Sequence, residues 1–155
     1  MDWDLLPDGR REVSVLFTDL EGFANLTEKL GDERVAALLA EYYATVGRIV
    51  EKHGGVVDKL IGDSVFATFN AVAELGDHAA LARRAGEEII SAVSWLKVEG
   101  KPLRAAVYAA SGPAEIRTFT AGGHTATTVV GRTVNRAGRA MRRARYGSVT
   151  DADRE

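Results

Sequence analysis

The sequence contains no cysteine among its 155 residues, which excludes disulfide bridges and thiolate metal sites. No apolar run approaches the roughly 20 residues that a membrane-spanning helix needs. The formal net charge is only −2, so no strong overall field would attract nucleic acid or an anionic membrane. The opening stretch, MDWDLLPDGRREV, is acidic and polar, unlike a secretory signal peptide. We therefore expect a soluble, cytoplasmic protein without membrane contact.

The composition that remains is typical of one ordinary globular domain. Hydrophobic residues make up 46% of the chain and charged residues 27%, enough to bury a core. No internal repeat, low-complexity tract or linker divides the sequence. We therefore treat residues 1–155 as a single domain, with residues 1–11 as an N-terminal extension.

Hydrophobic periodicity predicts both strands and helices. Val13, Val15 and Phe17 alternate with their neighbours, which is typical of a strand, whereas Val35, Leu38 and further apolar residues follow helical spacing. The predicted segments are a strand from 13 to Asp19, a short helix FANLTEKL, a helix from Asp32 as N-cap to His53, hairpin strands near 56–61 and 64–69 joined by Gly62-Asp63, a helix over about 77–97, a strand within 101–112, another within 118–131, and a helix over 132–145 capped by Thr133.

This order of elements predicts an α+β fold. It contains a ferredoxin-like βαββαβ core sheet, with helices expected on one face of the sheet. Because such a fold supports many functions, the function must be argued from the site.

Two aspartates are expected at one edge of that sheet. In a βαββαβ sheet the first strand lies beside the central hairpin, so Asp19 can approach Asp63 in the hairpin turn. Two close carboxylates need a neutralising cation, and Mg²⁺ is usually held by carboxylates, waters and substrate phosphates. The alternative is that each aspartate only ends a strand or suits a turn. Gly22 and Phe23 follow at the start of a helix, where free N–H groups suit a phosphate, which makes them candidate substrate-binding residues.

Three segments resemble one known family in order and spacing. VSVLFTDLEGFANLTE, EKHGGVVDKLIGDSVFATF and TVVGRTVNRAGRAM resemble signature segments of the class III nucleotide cyclase catalytic domain. The resemblance covers residues of about 12–145 and implies the class III nucleotide cyclase fold, which here looks short at the C-terminus.

The resemblance implies roles for the metal and base sites. Asp19 and Asp63 fall at the two metal-binding aspartates, with the carbonyl of Leu20 as a further ligand. Lys59 and Thr128 fall at the two positions that read the base. Guanylyl cyclases typically carry Glu and Cys there, so this pair favours ATP over GTP.

The resemblance also implies a catalytic pair and a cofactor. Asn135 and Arg139 match the residues that orient the ribose and stabilise the transition state, and their i, i+4 spacing places them on one helix face. The implied cofactor is Mg²⁺ or Mn²⁺, two ions per site, because charge builds on phosphate oxygens during cyclisation. One departure is Arg132, where the family usually has Asp or Asn.

The implied assembly is a homodimer with composite sites that convert ATP to cyclic AMP. The resemblance assigns the two aspartates and Lys59 to one subunit, and Thr128, Asn135 and Arg139 to the other. A catalytically silent cyclase-like domain, serving in nucleotide binding or dimerisation, is the alternative. A diguanylate cyclase is a more distant one, because IGDSV replaces its Gly-Gly-Asp/Glu-Glu-Phe motif.

A basic cluster near the end of the chain has two readings. Most of its members are expected to form a solvated face, and a nucleic-acid patch is the alternative. We expect no nucleic-acid partner, because we expect few exposed aromatic residues of the kind on which single-strand binders stack bases. The arginines are Arg132, Arg136, Arg139, Arg142, Arg143 and Arg145.

Overall fold

A mixed sheet organises the structure, a computed structural model that describes residues 9–154. In chain order the strands are β1 (Gly9–Leu20), β2 (Val56–Ile61), β3 (Ser64–Phe69), β4 (Lys97–Val98), β5 (Lys101–Pro102), β6 (Ala105–Ala121), β7 (His124–Val130) and β8 (Val149–Asp151). Six of them form the main sheet in the order β2-β3-β1-β6-β7, with β8 added parallel to β6. The strands β4 and β5 pair only with each other.

The helices connect these strands as the sequence predicted. They are α1 (Phe23–Leu30), α2 (Asp32–Lys52), α3 (His78–Val93) and α4 (Arg132–Ala140), with 3-10 turns at Met141–Arg143 and Ala152–Arg154. The order β1, α1 and α2, β2, β3, α3, β6 confirms the α+β class and the βαββαβ core. Within residues 9–154, no helix is long and apolar enough to cross a bilayer.

The helices lie on both faces of the sheet, which corrects the expectation of one covered face. Alternate residues of β1 and β6 feed two separate apolar clusters. Leu16 and Val107 belong to the cluster that includes α2 and α3, whereas Val13 and Tyr108 belong to the cluster that includes Ala137 of α4. Because these strands are apolar on both faces, each face needs a cover, and the sequence prediction did not take this into account.

The ends of α2, α3 and α4 differ from the sequence prediction. The N-cap of α2 is Gly31 and not Asp32, which is already the first residue of the helix. α3 ends at Val93, and Leu103 N–H donates to Leu96 O at 2.9 Å as the chain enters and leaves the short β4–β5 ribbon. α4 ends at Ala140. Thr133 does not cap α4; it is buried, and its hydroxyl donates to Pro113 O at 2.8 Å. The residues at the helix start therefore tie α4 to β6.

The β2–β3 hairpin is placed by glycines on either side of β2. A Cβ atom on Gly55 would lie 2.6 Å from the ring of Phe69, so only glycine allows the chain to pass this buried side chain. Gly62 has φ +57°, the left-handed conformation that a tight hairpin turn requires. β3 pairs antiparallel with β1, with Phe66 opposite Phe17. This register brings the hairpin turn to the end of β1.

Candidate active site

Asp19 and Asp63 come together where β1 ends, as the sequence predicted. Asp19 is the penultimate residue of β1, and Asp63 lies in the β2–β3 turn. The two carboxyl groups lie close enough for Asp63 to raise the pKa of Asp19, and Leu20 N–H donates to Asp63 Oδ2 at 3.0 Å. The fold therefore brings two carboxyl groups close together.

This pair is electrostatically costly without a cation. The pKa of Asp19 rises from its ordinary value of 3.8 to about 7, first because the group is buried, and then because of the hydrogen bond and charge of Asp63. Tyr42 supplies no positive charge to the pair: it is buried, its hydroxyl hydrogen-bonds to Thr18, and burial raises its pKa. A positive charge at this point would stabilise both carboxylates in their ionised form.

The donor set fits a hard divalent cation that shares its coordination with a substrate. Two carboxylates and the Leu20 carbonyl are oxygen donors, the type that Mg²⁺ and Mn²⁺ prefer. Within residues 9–154, no group of three or more His, Cys, Asp or Glu side chains could hold a metal alone. Remaining ligands would have to be waters and phosphate oxygens, which is usual for Mg²⁺ in nucleotide enzymes.

Gly22 and Phe23 lie immediately beyond the carboxylates. α1 begins at Phe23, and Gly22 precedes it with φ +68°. Gly22 also lines a cavity of about 300 Å³, together with Lys29 and Arg104. Both cations are already paired, Lys29 with Glu99 at 2.6 Å and Arg104 with Glu21 at 3.0 Å. The start of α1 therefore contributes mainly its backbone N–H groups next to the carboxylate pair.

Lys59 and Thr128 meet in the structure although 69 residues separate them. Lys59 Nζ donates to Thr128 Oγ1 at 3.0 Å and lies 5.6 Å from the centre of the Phe66 ring. They come from β2 and β7, the two ends of the strand order, so the sheet curls until its edges approach. The two residues expected to read the base therefore lie side by side in one chain.

This contact corrects the implied division of the site between subunits. The resemblance assigned Lys59 and Thr128 to opposite subunits, but they are hydrogen-bonded within one chain. Thr128 lies near the end of β7, and β7 is followed almost directly by α4, which carries Asn135 and Arg139. In a site shared between two subunits, Lys59, Thr128, Asn135 and Arg139 would therefore come from the same subunit.

Asp58 is a member of this cluster that the sequence did not reveal. Thr128 Oγ1 donates to Asp58 Oδ2 at 2.6 Å, and the backbone N–H of Val129 also donates to this carboxylate. Burial raises the pKa of Asp58, against the lowering effects of these two donors and Lys59. The pairing register of β2 shifts between Val57 and Lys59, so Asp58 lies at a β-bulge. In the sequence of β2, the two adjacent polar residues Asp58 and Lys59 break the alternation of apolar and polar positions. This break was the only sequence signal that could have pointed to Asp58.

Asn135 and Arg139 are exposed on α4. Arg139 lines a cavity of about 270 Å³ with Arg136 and Arg143. The face of β1 that includes Val13 and Val15 packs against α4, and alternation places Asp19 on this same face. In the described part of the chain, however, no hydrogen bond or ion pair joins the carboxylate pair to Lys59, Thr128, Asn135 or Arg139.

Comparison with known proteins places this geometry in a family. The family model for the adenylate and guanylate cyclase catalytic domain matches residues 7–151. The chain belongs to this family of cyclase catalytic domains. Adenylate cyclase 1 of Rhizobium meliloti is 37% identical over 125 residues, which cover 79% of this chain and 17% of that protein. The cyclase domain thus spans a small part of this relative's length.

Solved structures share the fold. The adenylyl cyclase CyaB from P. aeruginosa superposes with a TM-score of 0.84 and 28% identity, covering 93% of this chain and 78% of that one. The guanylyl cyclase Cya2 also gives a TM-score of 0.84, with 26% identity over 93% of this chain and 76% of that one. Because an adenylyl and a guanylyl cyclase match equally well, the backbone alone does not distinguish the two nucleotides.

Proposed function

We propose that this cyclase domain converts ATP to 3′,5′-cyclic AMP and pyrophosphate. The observation that carries the proposal is the contact between Lys59 and Thr128, which joins the two residues that favour adenine in the family pattern. It is supported by the carboxylate pair of Asp19 and Asp63. Adenylate cyclase 1, the relative described above, is consistent with the same activity.

In the reaction, the ribose 3′-oxygen attacks the α-phosphorus and forms a new P–O bond. The bond from the α-phosphorus to pyrophosphate breaks, pyrophosphate leaves with the electron pair, and the hydroxyl proton passes to solvent water. Asp19, Asp63 and the Leu20 carbonyl would hold Mg²⁺ or Mn²⁺, two ions per site, which would neutralise phosphate charge and lower the pKa of the 3′-hydroxyl. Arg139 stabilises the charge that develops on the phosphate oxygens, and Asn135 on the same helix face orients the ribose.

The remaining residues hold the two ends of the nucleotide. Lys59 and Thr128 bind the adenine edge. The backbone N–H groups at Gly22 and Phe23, at the start of α1, bind phosphate oxygens. No protein nucleophile is needed, because the attacking atom belongs to the substrate.

We propose that the working unit is a homodimer with two composite sites. The carboxylate pair of one subunit would face Lys59, Thr128, Asn135 and Arg139 of its partner. This would account for the absence of hydrogen bonds and ion pairs between the two groups within residues 9–154 of one chain. Large apolar side chains are exposed on the strands that carry Lys59 and Thr128 and on the adjoining strand β6, namely Leu60, Ile61, Phe119 and Val130. The exposure of Phe119, and of Trp95 elsewhere, corrects the expectation that exposed aromatic residues are lacking. Exposed apolar residues of this kind are suited to burial against a second copy.

The test is incubation of the purified domain with ATP or GTP and Mn²⁺, with chromatographic detection of the cyclic product. We expect cyclic AMP from ATP and little product from GTP. Asp63→Ala should abolish the activity, whereas Glu51→Gln, an exposed change on α2, should leave it unchanged. A wild-type domain that forms no cyclic nucleotide would favour the catalytically silent alternative, and unchanged activity in Asp63→Ala would refute the metal assignment.

A further inference from the structure

The cluster that joins β2 to β7 fixes the direction of one hydroxyl proton. A threonine hydroxyl has one proton to donate and two lone pairs to accept with. Thr128 donates its proton to Asp58 Oδ2 at 2.6 Å and accepts from Lys59 Nζ at 3.0 Å. One lone pair of Thr128 therefore remains for a ligand, and no proton does.

We propose that Asp58 is a specificity-determining positioning residue, which holds the Thr128 hydroxyl as an acceptor so that the site admits adenine and rejects 6-oxo purines. This inference rests on the proposed function, because it requires the base to bind against Lys59 and Thr128. The inference explains why Thr128 would recognise only one kind of base, although a threonine hydroxyl can both donate and accept a hydrogen bond.

The chemistry of the purine edge explains the selection. Adenine presents a donor, the N6 amino group, beside an acceptor, N1. Guanine and hypoxanthine present the reverse, an acceptor O6 beside a donor N1–H. Lys59 can only donate, so it suits N1 of adenine. Thr128 with a free proton could serve either base, and the contact with Asp58 removes that freedom.

Asp58 is held in place as an acceptor. Its carboxylate receives hydrogen bonds from Thr128 and from the Val129 N–H, and the Lys59 ammonium group lies nearby. The β-bulge interrupts the regular alternation of β2 at Asp58, and the carboxylate contacts Thr128 and Val129 of β7. A purely structural role, tying the two edge strands together, would use the same contacts, so the experiment must separate the two roles.

The experiment measures binding without turnover. The probes are 3′-deoxy-ATP and 3′-deoxy-ITP with Mn²⁺, which lack the attacking hydroxyl and differ only at position 6 and N1 of the base. Isothermal titration calorimetry on the wild-type domain should show preference for the adenine analogue. Asp58→Asn keeps the shape, but its NH₂ group can donate to Thr128 and release the hydroxyl proton toward the base. The preference should fall about tenfold, the worth of one hydrogen bond.

A double-mutant cycle separates orientation from strand tying. Thr128→Val removes the hydroxyl and keeps the shape, so Asp58→Asn should change the preference no further in that background. Thr128→Ser keeps the hydroxyl and should keep both the preference and its dependence on Asp58. A tie between strands would instead weaken both analogues equally. Glu51→Gln on α2 serves as the charge-matched control. If Asp58→Asn fails to fold, Asp58→Leu is the second variant to test.

The outcomes distinguish this inference from the proposed function. A domain that forms no cyclic AMP, yet binds the adenine analogue with a preference that depends on Asp58, would refute the cyclase activity and support this inference. An active cyclase whose preference is unchanged in Asp58→Asn would overturn the inference and leave the activity standing. A wild-type domain that binds neither analogue would overturn both.

Discussion

Mixing inactive variants tests how the site is divided between subunits. Asp63→Ala would remove a proposed metal ligand, Arg139→Ala the proposed transition-state cation, and Lys59→Ala a proposed contact to the base. The structure joins Lys59 to Thr128 by a 3.0 Å hydrogen bond. We therefore assign Lys59 to the same half of the proposed composite site as Arg139, and Asp63 to the other half. Two variants in different halves should complement each other, whereas two in the same half should not.

The magnitude follows from counting. Random pairing of two variants gives about half heterodimers, and each heterodimer keeps one intact site of its two. A complementing mixture should therefore reach roughly a quarter of wild-type activity. Lys59→Ala alone should retain about 1–10%, because losing a charged hydrogen bond costs about 1.5–3 kcal/mol. A quarter of wild-type activity stands clearly above that background.

The assay measures cyclic AMP from mixtures that are refolded together at constant total protein. Asp63→Ala should complement both Arg139→Ala and Lys59→Ala, and the mixture of the last two should stay at background. Light scattering must show that every variant still dimerises. If Asp63→Ala with Arg139→Ala is active but Asp63→Ala with Lys59→Ala is not, Lys59 serves the aspartates of its own chain. If all mixtures are dead while every variant dimerises, the sites are not shared.

Two further predictions concern metal removal and packing. In chelator the melting temperature should fall as pH rises from 3.8 through about 7, because Asp19, whose pKa is raised in the folded state, then ionises beside Asp63. Mn²⁺ or Asp63→Asn should weaken this fall, and a pH-independent melting temperature would contradict it. Gly55→Ala should lower the free energy of unfolding by about 1–3 kcal/mol in urea, because its Cβ would overlap the buried Phe69 ring. Gly123→Ala, where a Cβ meets nothing within 4 Å, is the control and should change it by less than about 0.5 kcal/mol; equal effects would refute the packing argument.

The sequence was sufficient where local signals and strand order act together. The contact between Asp19 and Asp63 was predictable because β1 must neighbour the central hairpin in a βαββαβ sheet. The turn at Gly62 was predictable because a tight hairpin needs a left-handed residue. These features depend on short stretches of chain and on one rule of topology.

Features that depend on contacts distant in sequence were not predictable. The curl of the sheet that joins β2 to β7 links residues about 70 positions apart, and no local pattern encodes it. The position of α4 was not predictable either, because packing in the second apolar cluster determines which face of the sheet the helix covers. The three-residue strand β8 pairs in parallel with β6 and is too short to show any period. The wrong placement of Lys59 and Thr128 in opposite subunits arose from this gap.

The proposed base-binding residues and the carboxylate pair are constrained by different parts of the fold. Asp19 and Asp63 lie on neighbouring strands, so backbone pairing between β1 and β3 holds them together. Lys59 and Thr128 lie on opposite edges, so side-chain hydrogen bonds alone join them. The backbone of the sheet is held by strand pairing and core packing. The arrangement of hydrogen-bond donors and acceptors at its edges, in contrast, depends on single polar atoms. This explains how an adenylyl and a guanylyl cyclase can match this chain with the same TM-score, and why base choice must be tested atom by atom.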